Sequence, residues 1–190
     1  MDRQDTEKDF ITAFWKLYAD RPKEKISVSM LCDTAGYNRS TFYNHFEDIH
    51  DLFEKAVDGI FEPVRTSIMS KSNLYDILQG DLVRPILSST FIQKNTYIEL
   101  LFQRQDYRLL KEKIKQELLT FFQDKQDIIT DIGPVSILLE YQLSAVMSVI
   151  DFWYRSGTHI PQEEMLENIY EISSRGVLTS LKDQLRRNDL

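Results

Sequence analysis

The chain has one cysteine, Cys32, among 190 residues, so it can form no internal disulfide and offers no cysteine set for zinc. Glycine and proline are also scarce, at six and five. They fall as punctuation, at Pro22, Gly36, Gly59/Pro63, Gly80/Pro85, Gly133/Pro134, Gly157/Pro161 and Gly176, with long unbroken stretches between. No run of strict alternation bounded by turn residues argues for a sheet, and there is no repeat, low-complexity tract or Ser/Gly linker. There are three histidines, none beside a nucleophile or a glycine-rich phosphate loop, so neither an enzyme nor a cofactor is expected. His50 and Glu54, at i and i+4, read as a solvated pair, and no metal site is expected. Basic residues are in deficit. With 23 Lys and Arg against 30 Asp and Glu, the net charge of −7 on its face disfavours a polyanionic partner.

What is present is helical periodicity, and the reading is an all-α protein of about nine helices. Residues 1–47 are expected to form one small domain and residues 48–190 a larger one. The first helix is expected to open at Asp5 or Thr6, with Thr6 and Asp9 as a capping box and Phe10, Phe14 and Leu17 facing the core. Two short helices follow. Ser27 caps one that carries Val28, Leu31, Cys32 and Ala35 on one face and stops at Gly36, where a left-handed residue is wanted. Asn38 caps the next, which runs to about Phe46, with Tyr37 and Phe42 spaced as a hydrophobic staple. Longer helices are expected at 48–70, where Pro63 would kink or end the helix, and at 106–125, 134–156 and 161–187, with shorter ones at 81–93 and 96–103. The opening residues MDRQDTEKDF lack the apolar stretch of a signal peptide, and a cytoplasmic protein is expected. Residues 135–154 raise the membrane question, but Glu140, Gln142 and Asp151 within them are costly in hydrocarbon. A helix buried on several sides is the reading.

A long helix followed by two short ones around a glycine turn is the layout of a helix-turn-helix. At about 100° per residue, Phe42 and Phe46 share the inner side of the second short helix. Ser40 and Asn44 then face outward, with Thr41 and Tyr43 on the flanks. An amide there can bond adenine in the major groove, and hydroxyls can bond phosphate. Arg39, in the first turn, can reach guanine or the backbone. Ser27 lies at a helix start, where unpaired N–H groups attract an anion.

The stretch from Ile26 to Phe46, ISVSMLCDTAGYNRSTFYNHF, resembles the DNA-binding signature of the tetracycline-repressor-like (TetR/AcrR) regulators, above all in Ala35-Gly36, Thr41-Phe42-Tyr43 and Phe46. The resemblance is close over residues 10–53 and thereafter rests on helix number and length and on the Trp153…Gly157 helix end. It implies a three-helix DNA-binding domain on a larger helical domain that binds a small inducer and dimerises. It further implies a ligand-responsive repressor that grips a pseudo-palindromic double-stranded operator as a homodimer. Ser27, Arg39, Ser40, Thr41, Tyr43, Asn44 and His45 would contact that operator. One departure stands out. The family's phosphate-clamping lysine after the recognition helix falls here on Ile49, behind Glu47 and Asp48, so either His50 or the amides at that helix start serve, or backbone affinity is lower. Two alternatives keep the same residues. A protein coactivator could replace the small inducer, or the chain could be an adaptor that has lost DNA binding.

In the larger domain, Phe91, Tyr97, Phe102, Tyr107, Tyr141 and Trp153 are candidates for an inducer pocket. The apolar character of residues 135–154 on every side calls for more than one partner surface. A four-helix dimer interface from the last two helices is therefore expected, carrying Val149, Leu166, Ile169, Tyr170, Ser173 and Val177. The charge also divides by segment. Arg21, Lys23, Lys25 and Arg39 face only Glu24 and Asp33 between residues 21 and 46, which makes this stretch net positive within an acidic chain. The composition thus predicts salt-sensitive, moderate DNA affinity that depends on dimerisation.

Overall fold

A computed structural model describes residues 3–69, 96–123, 132–157, 160–176 and 179. Among them are eight α-helices, one 3-10 turn and no strand. The helices are α1 (Arg3–Asp20), α2 (Val28–Ala35), α3 (Arg39–Tyr43), α4 (Ile49–Met69), α5 (Thr96–Gln103), α6 (Arg108–Gln123), α7 (Ile132–Ser156) and α8 (Gln162–Arg175). The chain separates into two compact units, Met1–Ile60 and Phe61–Leu190, so the first half of α4 belongs to the smaller unit. The helix expected at 81–93 lies outside the described residues, as do Phe91 and Val177.

An aromatic core organises the smaller unit. Phe10 of α1 meets Phe42 at 5.4 Å and Phe46 at 5.8 Å between ring centroids, both edge-on, and lies 5.2 Å from Tyr37. One turn on, Phe14 and Tyr18 pack on Phe53 of α4. Edge-to-face pairs of this kind add to the area each ring buries. The local punctuation falls where expected. Ser27 accepts a hydrogen bond from the Met30 N–H at 3.3 Å, and Asn38 accepts one from Thr41 at 2.9 Å. Gly36 ends α2 in the left-handed region, at φ 78°, where a side chain would be strained.

At two helix ends the structure decides differently from one of the expected readings: the capping box at the start of α1 does not form, and Pro63 does not end α4. Helix α1 starts at Arg3, a turn before the expected Thr6–Asp9 box. Those two side chains are used elsewhere: the Tyr37 hydroxyl donates to Asp9 at 2.8 Å and also meets the Thr6 hydroxyl. Helix α4 runs through Pro63 to Met69. The carbonyl that a proline at 63 leaves without its donor is that of Gly59, which is exposed and can turn to water.

In the larger unit, α7 packs against α5, α6 and α8. Helix α6 buries a stripe of Leu110, Ile114, Leu118 and Phe121. Leu143, Met147 and Ile150 of α7 are buried with it. An ion cluster ties α6 to α7: Glu140 accepts from Lys111 at 2.7 Å, Lys115 at 2.6 Å and the Ser144 hydroxyl at 3.1 Å. These bonds, Lys111 first, hold the Glu140 carboxyl down at about 2, from an ordinary 4.5. A depressed folded-state value adds stability that is complete above the unfolded value and vanishes as pH falls through the folded one. The gap in melting temperature between the wild type and Glu140→Gln should therefore be full above about pH 5 and close as pH approaches 2. Thermal melts across that range check this, and a gap indifferent to pH would contradict it.

Candidate nucleic-acid interface

Helix α3 is five residues long, flanked by Asn38 and Asn44. Its inner side is fully committed, with Phe42 at 0% and Phe46, just beyond the helix, at 1% exposure. The opposite side is open. Arg39, Ser40 and Asn44 are exposed, Tyr43 is 53% exposed and Thr41 is half-buried. Ser40 and Thr41 both donate hydroxyl hydrogens to the Asn38 side chain, at 2.6 and 3.0 Å, which fixes their orientation at the helix start. A cation in a first helical turn opposes the helix dipole, so Arg39 gains nothing for α3 by standing there. Ser27 is exposed at the start of α2. These six residues therefore lie on the outer side of the helix-turn-helix.

His45 does not join them. Its side chain is 9% exposed and turns to α1, where Nδ1 faces Glu7 Oε1 at 3.3 Å. At the start of α4 two local amides already have partners. Asp48 accepts from the Asp51 N–H at 2.9 Å, and Asp51 accepts from the Glu47 N–H at 3.0 Å, so these amides are spent on carboxylates. His50 remains outward, 3.4 Å from Glu54. Lys55, which sequence reasoning passed over, donates to the His45 carbonyl at 2.8 Å and lies over the Phe46 ring. The i, i+4 spacing of Asp51 and Lys55 was the available signal.

In the larger unit the five candidate pocket aromatics among the described residues do not all converge on one place. Phe102 is fully buried and stacks on Tyr107 at 4.7 Å and on Tyr154 at 5.5 Å. Burial pushes the Tyr154 hydroxyl up to about 12, with Glu99 adding to the effect. Trp153 donates its indole N–H to the Ile160 carbonyl at 2.9 Å. Tyr97 is 38% exposed and Tyr141 66%. Tyr141 lines a groove of about 360 Å³ between α7 and α8, with Val149, Ile169, Ser173 and Gly176. Leu166 and Tyr170 are half-buried on α8. Ile172 lines it too, and Ile172, Ile137 and Phe152 are each more than half exposed. Gln142 donates to the buried Ser173 hydroxyl at its floor. Asp151 of α7 is buried; Arg155 donates to its Oδ2 at 3.0 Å, and Oδ1 has no hydrogen-bond partner among the described residues.

No family model matches the sequence, and no curated protein does. Solved structures do. A TetR-family transcriptional regulator from Streptomyces coelicolor aligns at TM-score 0.62, over 98% of this chain and 89% of its own, with 14% identity. The chain has the TetR-family fold. The TetR-family regulator PfmR from Thermus thermophilus aligns at 0.53, over 88% of this chain and 97% of its own, also at 14% identity. The dihydroxyacetone kinase operon activator DhaS aligns at 0.52, over 93% and 96%, at 20% identity. In this fold the unit that carries α2 and α3 is the helix-turn-helix unit expected from the sequence.

Proposed function

We propose that this chain is a TetR-family transcriptional regulator, a cytoplasmic, non-enzymatic repressor that binds a pseudo-palindromic operator as a homodimer and answers to a ligand in its larger domain. The observation that carries the reading is the division of α3: Phe42 and Phe46 are buried, and Arg39, Ser40, Tyr43 and Asn44 are offered outward. Asn44 reads a base edge, while Ser27, Thr41 and Tyr43 hold the phosphate backbone. A homodimer would cover the exposed apolar side of α7 and α8. A ligand with a hydrogen-bond donor would satisfy the orphan Asp151 Oδ1. By favouring a different spacing of the two recognition helices, it would misalign them with major grooves about 34 Å apart.

The test is a gel shift with DNA upstream of the reading frame. Asn44→Ala should weaken the specific complex about tenfold and leave the slope of affinity against salt unchanged. Equal loss on this DNA and on random duplex would remove Asn44 as a base reader. One structural neighbour is named as an operon activator. A promoter fusion whose expression falls on deletion of the chain would favour that second reading over repression.

A further inference from the structure

His45 stands just past the recognition helix and yet is almost hidden, and two other elements hold it. From α1, Glu7 Oε1 lies 3.3 Å from its Nδ1. From α4, Lys55 Nζ donates to its carbonyl at 2.8 Å. The same ammonium lies 3.3 Å from Asp51 Oδ2 and 4.8 Å from the centre of the Phe46 ring. Two of its three donor hydrogens meet these oxygens, and its charge meets the ring face. The carbonyls that end a helix lack intrahelical donors and carry the negative end of the dipole, which is where a lysine stabilises it. Helix α3 has only five residues, too few to hold a direction by its own hydrogen bonds. Its orientation must come from contacts outside itself.

We propose that Glu7 and Lys55 are positioning residues that fix the recognition helix through His45. Sequence-specific binding depends on both, although neither touches DNA. This rests on the reading of α3 as the DNA-recognition helix.

Charge gives the proposal a test of sign. Glu7 is an acid in a unit that binds a polyanion, so by charge alone Glu7→Gln tightens binding to every duplex. If Glu7 positions α3, the same change weakens binding to the preferred site while random duplex is held as well or better. Lys55→Met weakens both by charge, but positioning makes the loss on the preferred site larger. It also leaves the salt slope unchanged, because no phosphate contact is removed.

The experiment is a set of fluorescence-anisotropy titrations with the full chain at several salt concentrations. The two duplexes are one enriched by the wild type from a random pool and a scrambled one of equal length. Expected are a loss of about 3- to 10-fold on the enriched duplex for Glu7→Gln, a similar or larger loss for Lys55→Met, and recovery of most of it by Lys55→Arg. Melting curves by circular dichroism set a temperature at which every variant is folded. Tightening of both duplexes by Glu7→Gln would overturn the proposal. So would an equal loss on both by Lys55→Met with a slope shallower by about one, the mark of a phosphate contact. A wild type that enriches no sequence would overturn the DNA-binding reading itself, and the positioning with it.

Discussion

Phe10→Ala should cost the smaller unit about 3–5 kcal/mol, the usual range for emptying a fully buried phenylalanine site. Phe10 has no exposed surface, and its ring meets Tyr37, Phe42 and Phe46. Three segments, α1, the turn after α2 and the end of α3, close on that one side chain. None of them can move in to fill the space without losing its own buried partners. A loss of this size is a large share of the roughly 5–15 kcal/mol that holds a domain folded. The two tryptophans allow the loss to be located. Trp15 is buried in the smaller unit and Trp153 stands in the larger. With Trp153→Phe as background, the urea midpoint read from Trp15 should fall sharply on Phe10→Ala. With Trp15→Phe as background, the midpoint read from Trp153 should move far less. A uniform shift in both signals, or none, would contradict the placement of Phe10 as the centre of that core.

The second large effect concerns the outer side of α7 and α8. If a second copy covers it, Val149→Asp puts a carboxylate into an apolar interface. Breaking an interface with an unpaired buried charge costs about 3–5 kcal/mol, which corresponds to a dimer dissociation constant raised at least 100-fold. Val149 is 45% exposed in the single chain and lines the groove with Tyr141, so the substitution should leave the subunit fold intact. Analytical ultracentrifugation of wild type and variant, with circular dichroism as a control on folding, measures this. Operator affinity should fall in parallel, because each half-site alone is met by a stretch with only a small excess of positive charge. A variant that stays as dimeric as the wild type would place the interface elsewhere.

The features legible in the sequence are those decided by neighbours along the chain. Ser27, Gly36 and Asn38 each act within four residues of themselves, and each stands where helix-end chemistry puts it. The inward pair Phe42 and Phe46 follows from helical geometry alone. The differences arise where a distant partner decides. Thr6 and Asp9 have the spacing of a capping box, but Tyr37, 28 residues beyond Asp9, takes them. His45 has the position of a DNA contact, but Glu7 lies 38 residues back along the chain and turns the ring inward. Tyr141 shows the same limit in the larger unit. Periodicity says that α7 is apolar on several sides, and nothing in it says which side faces its own core and which is left open. Pro63 falls inside a helix because its cost is set by the surroundings of the Gly59 carbonyl, and those are not written at position 63.

Whether α3 reads DNA sequence is answered most directly by selection from a random duplex pool. The full chain, incubated at low salt and carried through repeated rounds, should enrich an inverted repeat whose half-sites lie one helical turn, about 10 base pairs, apart. The same selection with Asn44→Ala should relax the preference at one position in each half-site. A pool that shows no enriched sequence after the wild-type selection would contradict the account.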